Sequence, residues 1–538
     1  MAGLEGAVAM RRLVAIAVAT ALAFAACGDD TAEPVVASTT TVAGPGAAYP
    51  QEVVDAYLGG CSPTSGESFC RCTIDEFQAR LTVDDFIAMN EVDIGSDPTA
   101  QAVIEICLRG DSTGTTIAGG DFTPITTVEE IVNATIVDLE EFWTAMMPVQ
   151  WGIEFPTLAG LGPYFISQGD RPQCGGSMQR REYEQNAFYC GEDDTIQWDA
   201  EGLIAPLFQE FGDFTVALVL AHEWGHAVQN RYGFDSLNQP TIISELQADC
   251  FAGAWTGRIA ADESDILRLE PGDLEEAMAG FLLIGDGLGT APGGPDAHGG
   301  SFDRLSAFFD GFNDGVARCA TYETQQPPVV FIDLQSGDDP SQGRDLPLSE
   351  VTPTLTAALD TYWSIVYPEV FGGAWSPVSR LIPYLPSSGS LPACGGFTAD
   401  PSFYEGNAFY CPPDDYVAWD DETLFPGLYT EIGDFAVGLV LATQWGHAVQ
   451  ARAGLATEGV EAQLQADCLS GTWTAGLTVD GNPMELYLSA GDLEEGIAGF
   501  LTLSATPGEQ GTGAGAFERF QAFKDGFFGG TDACGLSG

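Results

Sequence analysis

The stretch ALVLAHEWGHAVQNR at residues 217–231 returns with few changes as GLVLATQWGHAVQAR at residues 438–452. In both copies, apolar and small residues recur three and four positions apart, which predicts a buried α-helix. Two polar residues change type and one histidine is kept. The changes are His222 to Thr443 and Glu223 to Gln444, and the kept histidine is His226 in one copy and His447 in the other. The chain therefore contains one helical module twice, and the second copy has lost two ionisable side chains.

The repetition extends well beyond this helix. NAFYC occurs at 186–190 and 407–411, QADC at 247–250 and 465–468, and GDLEEAMAGFL is matched by GDLEEGIAGFL. Such self-similarity predicts tandem copies of one domain, here over residues 126–322 and 349–536, with a linker over 323–348. The helical spacing of apolar residues predicts a mainly α fold class, with α+β possible. Gly233 is predicted to end the first quoted helix.

Composition limits the classes of protein that need considering. The chain has 538 residues, 45% of them hydrophobic, which is enough for about three domains of roughly 100 to 200 residues. It carries 78 acidic against 18 basic side chains, for a formal net charge of -60. A surface this acidic repels phosphate backbones, so we expect no nucleic-acid partner. The acidity fits a saline medium, although a codon bias against lysine would produce the same composition.

The first residues read as an export signal. Arg11 and Arg12 precede a short apolar run that ends in LAFAAC at Cys27, which looks like a bacterial lipoprotein box in which Phe24 replaces the usual leucine. We expect a lipoprotein signal peptide over 1–27, a lipid on Cys27 and a flexible tether over 28–49. The expected location is the outer face of the bacterial cytoplasmic membrane, reached through that lipid anchor only, or the extracellular or periplasmic space without lipidation.

Cysteine usage supports export. Thirteen cysteines leave twelve without Cys27, in groups of four, and an exported chain favours disulfides over free buried thiols. In the two copies we predict the pairs Cys174–Cys190, Cys250–Cys319, Cys394–Cys411 and Cys468–Cys534, although four cysteines permit three pairings. We predict that the remaining four cysteines form the disulfides of a small helical domain over residues 50–120. They are Cys61, Cys70, Cys72 and Cys107. The closely spaced pair among these could instead start a metal site, but no histidine lies nearby.

The repeated helix carries a metal-binding pattern in its first copy. Residues four apart on a helix share a face, so His222 and His226 can direct ring nitrogens at one metal ion. Glu223, one position along, can reach metal-bound water without binding the metal. Downstream, Glu245 and Asp249 again stand four apart on a predicted helix. Glu245 can complete a two-histidine, one-glutamate zinc site, and Asp249 can fix the tautomer of a ligand histidine.

Ordinary buried histidines are the alternative explanation of this pattern. The chain has only four histidines, and three of them fall in the first copy, which favours a metal site. The third, His298, lies in the glycine-rich stretch GGPDAHGGS and is a candidate donor to a developing oxyanion. Tyr189 is a competing candidate, because a histidine in such a loop can simply be solvated.

Together these motifs resemble a known family. HEWGHAVQNR, ELQADCFAGAW, NAFYC and AHGGSFDRLSAFFDGF are similar to the bacterial family named "putative neutral zinc metallopeptidase", which is gluzincin-like. The resemblance covers most of the first copy and, in degraded form, the second, but not residues 1–120. It implies a zincin-like domain that holds Zn2+ and hydrolyses peptide or protein substrates through a zinc-bound water, with Glu223 as general base.

The second copy departs from the family pattern at four positions of that chemistry and keeps a histidine, His447, at the position of His226. Thr443, Gln444, Gln463 and Gly513 stand where the first copy has His222, Glu223, Glu245 and His298. We therefore expect a degenerate, non-catalytic domain; a repurposed metal site around His447 is the alternative. For the whole chain the prediction is a membrane-anchored, extracytoplasmic zinc metallopeptidase. The alternatives are a non-catalytic binding or scaffold lipoprotein and a zinc amidase acting on cell-wall peptide.

Overall fold

The structure, a computed structural model, describes residues 127–234, 239–294, 297–335, 343–504 and 514–536, together with Val53, Val54, Thr73, Ile74 and Phe77. Several predictions from the sequence fall outside these residues: the signal peptide, the tether, nearly all of the small helical domain, Gly513, and the cysteines Cys27, Cys61, Cys70, Cys72 and Cys107. Within the described part of the chain, no helix is long and apolar enough to cross a bilayer.

The first half alternates helices with one small sheet. Its elements are α1 (Val128–Trp151), β1 (Gly160–Tyr164), α2 (Arg180–Tyr183), β2 (Ala187–Cys190), β3 (Thr195–Asp199), α3 (Ala205–Glu210), α4 (Asp213–Tyr232), α5 (Thr241–Ala260), α6 (Asp273–Ile284) and α7 (Ser301–Ala320). The strand order is β1-β3-β2, with β1 parallel and β2 antiparallel to β3. Strand β2 therefore lies at one edge of the sheet.

The second half repeats this order, except that a 3-10 helix (Pro401–Tyr404) takes the place of α2. Its elements are α8 (Leu348–Phe371), β4 (Arg380–Tyr384), β5 (Ala408–Cys411), β6 (Tyr416–Asp420), α9 (Leu424–Glu431), α10 (Asp434–Ala453), α11 (Val460–Leu477), α12 (Asp492–Ser504) and α13 (Ala516–Ala533). Its sheet has the order β4-β6-β5 with the same parallel and antiparallel pairings. The shared element order and strand pairing are what a tandem duplication predicts. The predicted mainly α fold class is confirmed.

Helix α4, which contains the first quoted stretch, forms the centre of the first half. Almost every residue from Phe214 to Val228 is buried, because α1, α5 and α6 all pack around it. Gly225 allows the closest approach: a Cβ atom at this position would lie 2.8 Å from the Cα of Ala248 on α5. The turn of α4 that carries the two histidines is thereby pressed against the turn of α5 that carries ELQAD. As predicted, α4 ends at Gly233, whose φ of 87° suits a left-handed C-cap.

Disulfides link the helices and loops of each half. The bonds are Cys174–Cys190 and Cys250–Cys319 in the first half, and Cys394–Cys411 and Cys468–Cys534 in the second. These are the four pairs that the sequence predicted. The longer-range bonds join α5 to the end of α7 and α11 to the end of α13, so each fixes the helix pair on which the candidate site or its counterpart is built.

The two halves pack together within one compact unit. Phenylalanines of α7 and α13 meet at their boundary, where the rings of Phe309 and Phe517 stack with centroids 4.2 Å apart. The ring of Phe302 also contacts that of Phe527 edge to face at 5.0 Å. Lys524 of α13 is buried beside this cluster, with its Nζ atom 3.3 Å from Asp310 Oδ1 of α7. The second half therefore packs against buried phenylalanines of α7.

Candidate metal centre

Helices α4 and α5 bring the three predicted ligands together. The Nε2 atoms of His222 and His226 lie 3.1 Å apart. Carboxylate oxygens of Glu245 lie 3.3 Å from His222 Nε2 and 3.5 Å from His226 Nε2. The three side chains thus point donor atoms at one small volume.

These distances suit a zinc ion. Ligands about 2.0 to 2.2 Å from a tetrahedral zinc ion lie about 3.3 Å from one another, and the three observed separations scatter closely around that value. Two imidazoles and one carboxylate are also a donor set typical of catalytic zinc, which keeps its fourth position open. The residues present therefore fit the metal that the family resemblance implies.

Hydrogen bonds fix which nitrogen of each histidine faces the centre. His222 Nδ1 lies 2.7 Å from Asp249 Oδ1, and His226 Nδ1 lies 2.9 Å from Gln229 Oε1. The amide nitrogen of Gln229 donates to the carbonyl of Ser244 at 2.7 Å, which leaves its oxygen as the acceptor. Each Nδ1 therefore donates its proton outward, and each Nε2 keeps its lone pair for a cation.

Asp249 is itself held by a buried arginine. Arg304 of α7 donates from Nε to Asp249 Oδ2 at 2.8 Å and from a terminal nitrogen to Oδ1 at 2.9 Å. Another terminal nitrogen donates to the carbonyl of Ile284 at 2.7 Å. Arg304 belongs to none of the predicted site residues, although the arginine at the matching position of the second copy, Arg519, is a sequence signal that could have identified it.

The electrostatics of the centre favour a positive charge. Burial lowers the pKa of His222, but the carboxylates of Asp249 and Glu245 together outweigh this effect and raise that pKa to about 10. Burial likewise lowers the pKa of His226, but the Glu245 carboxylate raises it, and the net shift of this pKa is upward. The pKa of Glu245 is held well below its usual range because the two histidines overcome its burial. A cation between the imidazoles is therefore stabilised, and protons and a divalent metal ion compete for that position.

Glu223 lies beside the three ligands and faces the sheet. Its Oε2 accepts a 2.7 Å hydrogen bond from the backbone N–H of Tyr189 on β2. Edge strand β2, Glu223 and the three ligands all line one cavity of about 740 Å³. A carboxylate oriented by a backbone donor, next to a metal site but outside its ligand set, is placed to exchange protons with water or substrate.

Residues 126–322 match the model of the family described as "Putative neutral zinc metallopeptidase". The resemblance predicted from the motifs is thereby confirmed over these residues. The chain is 36% identical over 157 residues to the uncharacterized protein YpfJ of Escherichia coli (strain K12), covering 25% of this chain and 53% of that relative. It is 30% identical over 166 residues to the uncharacterized protein Rv2575 of Mycobacterium tuberculosis (strain ATCC 25618 / H37Rv), covering 27% and 57%. The chain thus spans about half the length of the curated relatives it matches. No solved structure matches it.

Both candidate oxyanion donors line the cavity of this metallopeptidase-like half. His298 Nδ1 lies 3.2 Å from Asp286 Oδ1, and this contact is the main reason that the pKa of His298 is raised, which favours the protonated ring. The hydroxyl of Tyr189 instead donates to Asp194 at 2.9 Å, and its pKa is raised to about 12, chiefly by burial. The hydroxyl of Tyr189 is therefore engaged by Asp194, and its backbone N–H is engaged by Glu223.

The corresponding site of the second half has a different set of hydrogen bonds. Thr443 Oγ1 donates to Asp467 Oδ1 at 2.9 Å, and Arg519 Nε donates to Asp467 Oδ2 at 2.9 Å, so the aspartate and its arginine remain. The amide of Gln463 turns its nitrogen to Asp467 at 3.1 Å and its oxygen to His447 Nε2 at 3.3 Å. Burial lowers the pKa of His447. Without a carboxylate at position 463, the remaining imidazole is favoured neutral, and the electrostatic preference for a cation is reversed.

Proposed function

We propose that the first half is a zinc-dependent peptidase that hydrolyses peptide bonds. The observation that carries this proposal is the convergence of His222 Nε2, His226 Nε2 and a Glu245 oxygen at separations of 3.1 to 3.5 Å, with Glu223 lining the same cavity. The family match over residues 126–322 supports the same reaction class.

His222, His226 and Glu245 would hold the zinc ion. When bound, zinc supplies Lewis-acid chemistry: it makes water acidic enough to lose a proton near neutral pH and polarises a carbonyl group. Glu223 accepts the proton from water as general base and then passes it to the departing amine. Asp249, held by Arg304, keeps the ring of His222 in its ligating orientation. His298 donates a hydrogen bond to the oxygen on which negative charge develops.

The position of the edge strand β2 favours a peptide as the substrate. Because the N–H of Tyr189 reaches Glu223, the backbone at this residue faces away from the partner strand β3. Residues two apart on a strand face the same way, so the backbone of Ala187 also faces the cavity that it lines. An extended peptide can pair with such an edge and lay its backbone across the centre. We propose that the substrate binds in this way.

The proposal extends to the parts of the chain whose roles rest on the sequence. The signal peptide over 1–27, the lipid on Cys27 and the tether over 28–49 would place the catalytic half outside the cytoplasm, on the membrane surface. The second half, over 349–536, is proposed to be non-catalytic. The absence of carboxylates at the positions of Glu223 and Glu245, and the pKa of His447, which burial lowers, support this assignment.

Two alternatives predict different outcomes. A binding or scaffold lipoprotein would have no use for the general base Glu223 beside an intact ligand set, so the retention of this residue argues against it. A zinc amidase acting on cell-wall peptide would use the same ligands and base, and differs only in substrate. A library of extended peptides and a set of cell-wall peptides, tested side by side, separate the peptidase from the amidase.

The deciding experiment combines metal analysis with hydrolysis by a Glu223→Gln variant. The variant keeps the three ligands and loses the base, so we expect unchanged zinc content and a fall in hydrolysis of about 100- to 10,000-fold. Gln444→Glu, the reverse change at the matching position of the second half, is the control and should alter neither quantity. Unchanged hydrolysis by Glu223→Gln contradicts the assigned mechanism.

A further inference from the structure

Helices α7 and α13 both begin at a residue that cannot cap them. The N-cap residues are Gly300 and Gly515, and neither has a side chain to accept a hydrogen bond from the first turn. A helix N-terminus leaves backbone N–H groups that need acceptors, and serine, threonine, aspartate or asparagine usually supplies one. Both helices therefore depend on an acceptor from elsewhere.

In each case, a carboxylate from the other half of the chain stands at the start of the helix. The carboxylate of Glu494 on α12 faces the backbone N–H of Ser301, the first residue of α7. The carboxylate of Glu275 on α6 stands in the same way at the start of α13, beside Glu518 of that helix. A Cβ atom at Gly300 would lie 3.4 Å from Glu494 Oε1, and one at Gly515 would lie 2.7 Å from Glu275 Oε1. Each half thus places a carboxylate at the N-terminus of a helix of the other half, and glycine leaves the space through which that carboxylate enters.

The first turn of α7 is held by other groups from outside the first half as well. Asp303 accepts a 2.9 Å hydrogen bond from the backbone N–H of Val330 in the linker. The ring of Phe302 lies among phenylalanines of α13, 5.0 Å from that of Phe527 and 5.8 Å from that of Phe520. The start of α7 is therefore fixed by the linker and the second half together.

This turn leads directly to the metal centre. Arg304 stands three residues after Ser301 and holds both carboxylate oxygens of Asp249. Asp249 in turn holds the ring of His222 at 2.7 Å. A shift of the first turn of α7 would move the guanidinium of Arg304, and with it the partner that orients a metal ligand. The matching series of contacts in the second half leads from Glu275 to Arg519 and then to Asp467. No ligand histidine follows Asp467 there.

We propose that Glu494, a residue of the half without a metal site, is a positioning residue for the metal centre of the other half. By capping α7 it keeps Arg304 against Asp249 and thereby keeps the ring of His222 in place. The degenerate half is then a structural part of the catalytic one, which gives a physical reason for retaining its packing residues after the loss of its own ligands. The expected effect on zinc affinity rests on the proposed function, whereas the effect on the position of the His222 ring does not.

The test compares Glu494→Ala with the matched Glu275→Ala in the full-length protein. Hydrogen exchange should quicken in the first turn of α7 for the former and in the first turn of α13 for the latter. Zinc affinity, measured by competition with a chromophoric chelator, should weaken about 3- to 10-fold for Glu494→Ala only, less than the roughly 10- to 100-fold loss from removing a direct partner of a ligand. Glu494→Gln, which keeps an acceptor oxygen, should restore most of the affinity.

An equal loss of zinc affinity in both alanine variants would show general destabilisation and overturn the inference, as would unchanged exchange in α7 of Glu494→Ala. A wild-type protein that binds no zinc would refute the proposed function separately. In that case, ¹⁵N-histidine labelling of the zinc-free protein decides the matter. The Nδ1 proton of His222 should exchange faster with solvent in Glu494→Ala than in Glu275→Ala, and equal rates refute the positioning role.

Discussion

Substituting Asp249 by asparagine tests how the metal centre is organised. The residue is 1% exposed and makes three short contacts: one to His222 Nδ1 at 2.7 Å and two to Arg304 at 2.8 and 2.9 Å. An asparagine side chain offers one acceptor oxygen in place of two charged ones. Asp249→Asn therefore removes a contact that orients a ligand and leaves the Arg304 guanidinium buried without its counter-charge.

These two losses have different sizes. Removing the hydrogen-bonding partner of a ligand histidine typically weakens metal binding about 10- to 100-fold, which corresponds to about 1.4 to 2.7 kcal/mol. Breaking a buried ion pair by removing one partner costs about 3 to 5 kcal/mol of folding free energy. The larger effect should therefore appear in stability, and the smaller one in zinc affinity.

Asp467→Asn is the matched control. Asp467 pairs with Arg519 at 2.9 Å in the same buried arrangement, yet its neighbour is Thr443 instead of a histidine. We expect both variants to lose similar folding free energy in chemical denaturation, and only Asp249→Asn to lose zinc affinity in chelator competition. If both variants bound zinc as the wild type does, Asp249 would have no part in orienting a ligand.

Three further predictions concern the second half and the disulfides. The double substitution Thr443→His and Gln463→Glu rebuilds the ligand set around His447 and should add a second zinc ion per chain by elemental analysis; an unchanged zinc content would mean that the packing there excludes a metal. Burial, followed by the neighbouring acids, raises the pKa of Asp492 to about 8 and that of Glu495 to about 10, so the folded state binds their protons more tightly than the unfolded chain. Their contribution to stability is present below the unfolded-state pKa and is lost as the pH rises from about 4 through about 8 for Asp492 and about 10 for Glu495, by at least about 1 kcal/mol. Glu495→Gln should flatten this slope in thermal unfolding, and a slope of opposite sign contradicts the reasoning. Non-reducing peptide mapping should recover Cys174–Cys190, Cys250–Cys319, Cys394–Cys411 and Cys468–Cys534, and free thiols at these positions contradict the oxidised state.

The sequence predicted the placement of the ligands because that placement is local in origin. Spacing of four residues puts His222 beside His226 on α4, and the same spacing relates Glu245 to Asp249 on α5. Only the contact between the two helices is non-local, and the small residues Gly225 and Ala248 that permit it are themselves part of the motifs. The repeated sequence motifs likewise predicted that the two halves would have a similar order of helices and strands.

Other features had no such local signature. The donor to Glu223 is a backbone N–H of β2, and backbone groups leave no mark on residue identity. Arg304 reaches Asp249 across 55 residues of chain. The position of Glu494 at the start of α7 depends on how the two halves pack together. In the sequence, nothing distinguishes Glu494 from the other acids among the 78 acidic side chains. Long-range packing of this kind becomes visible only in three dimensions.

The zinc content of the purified protein and of its Glu245→Gln variant tests the proposed metal centre directly. Glu245→Gln gives the first half the residue that the second half has at position 463, and it removes the carboxylate within 3.5 Å of both ligand histidines. We expect about one zinc ion per chain in the wild type, because one of the two halves keeps the three-ligand set, and far less than one in the variant. Two ions per chain in the wild type, none at all, or an unchanged content in Glu245→Gln would contradict this expectation.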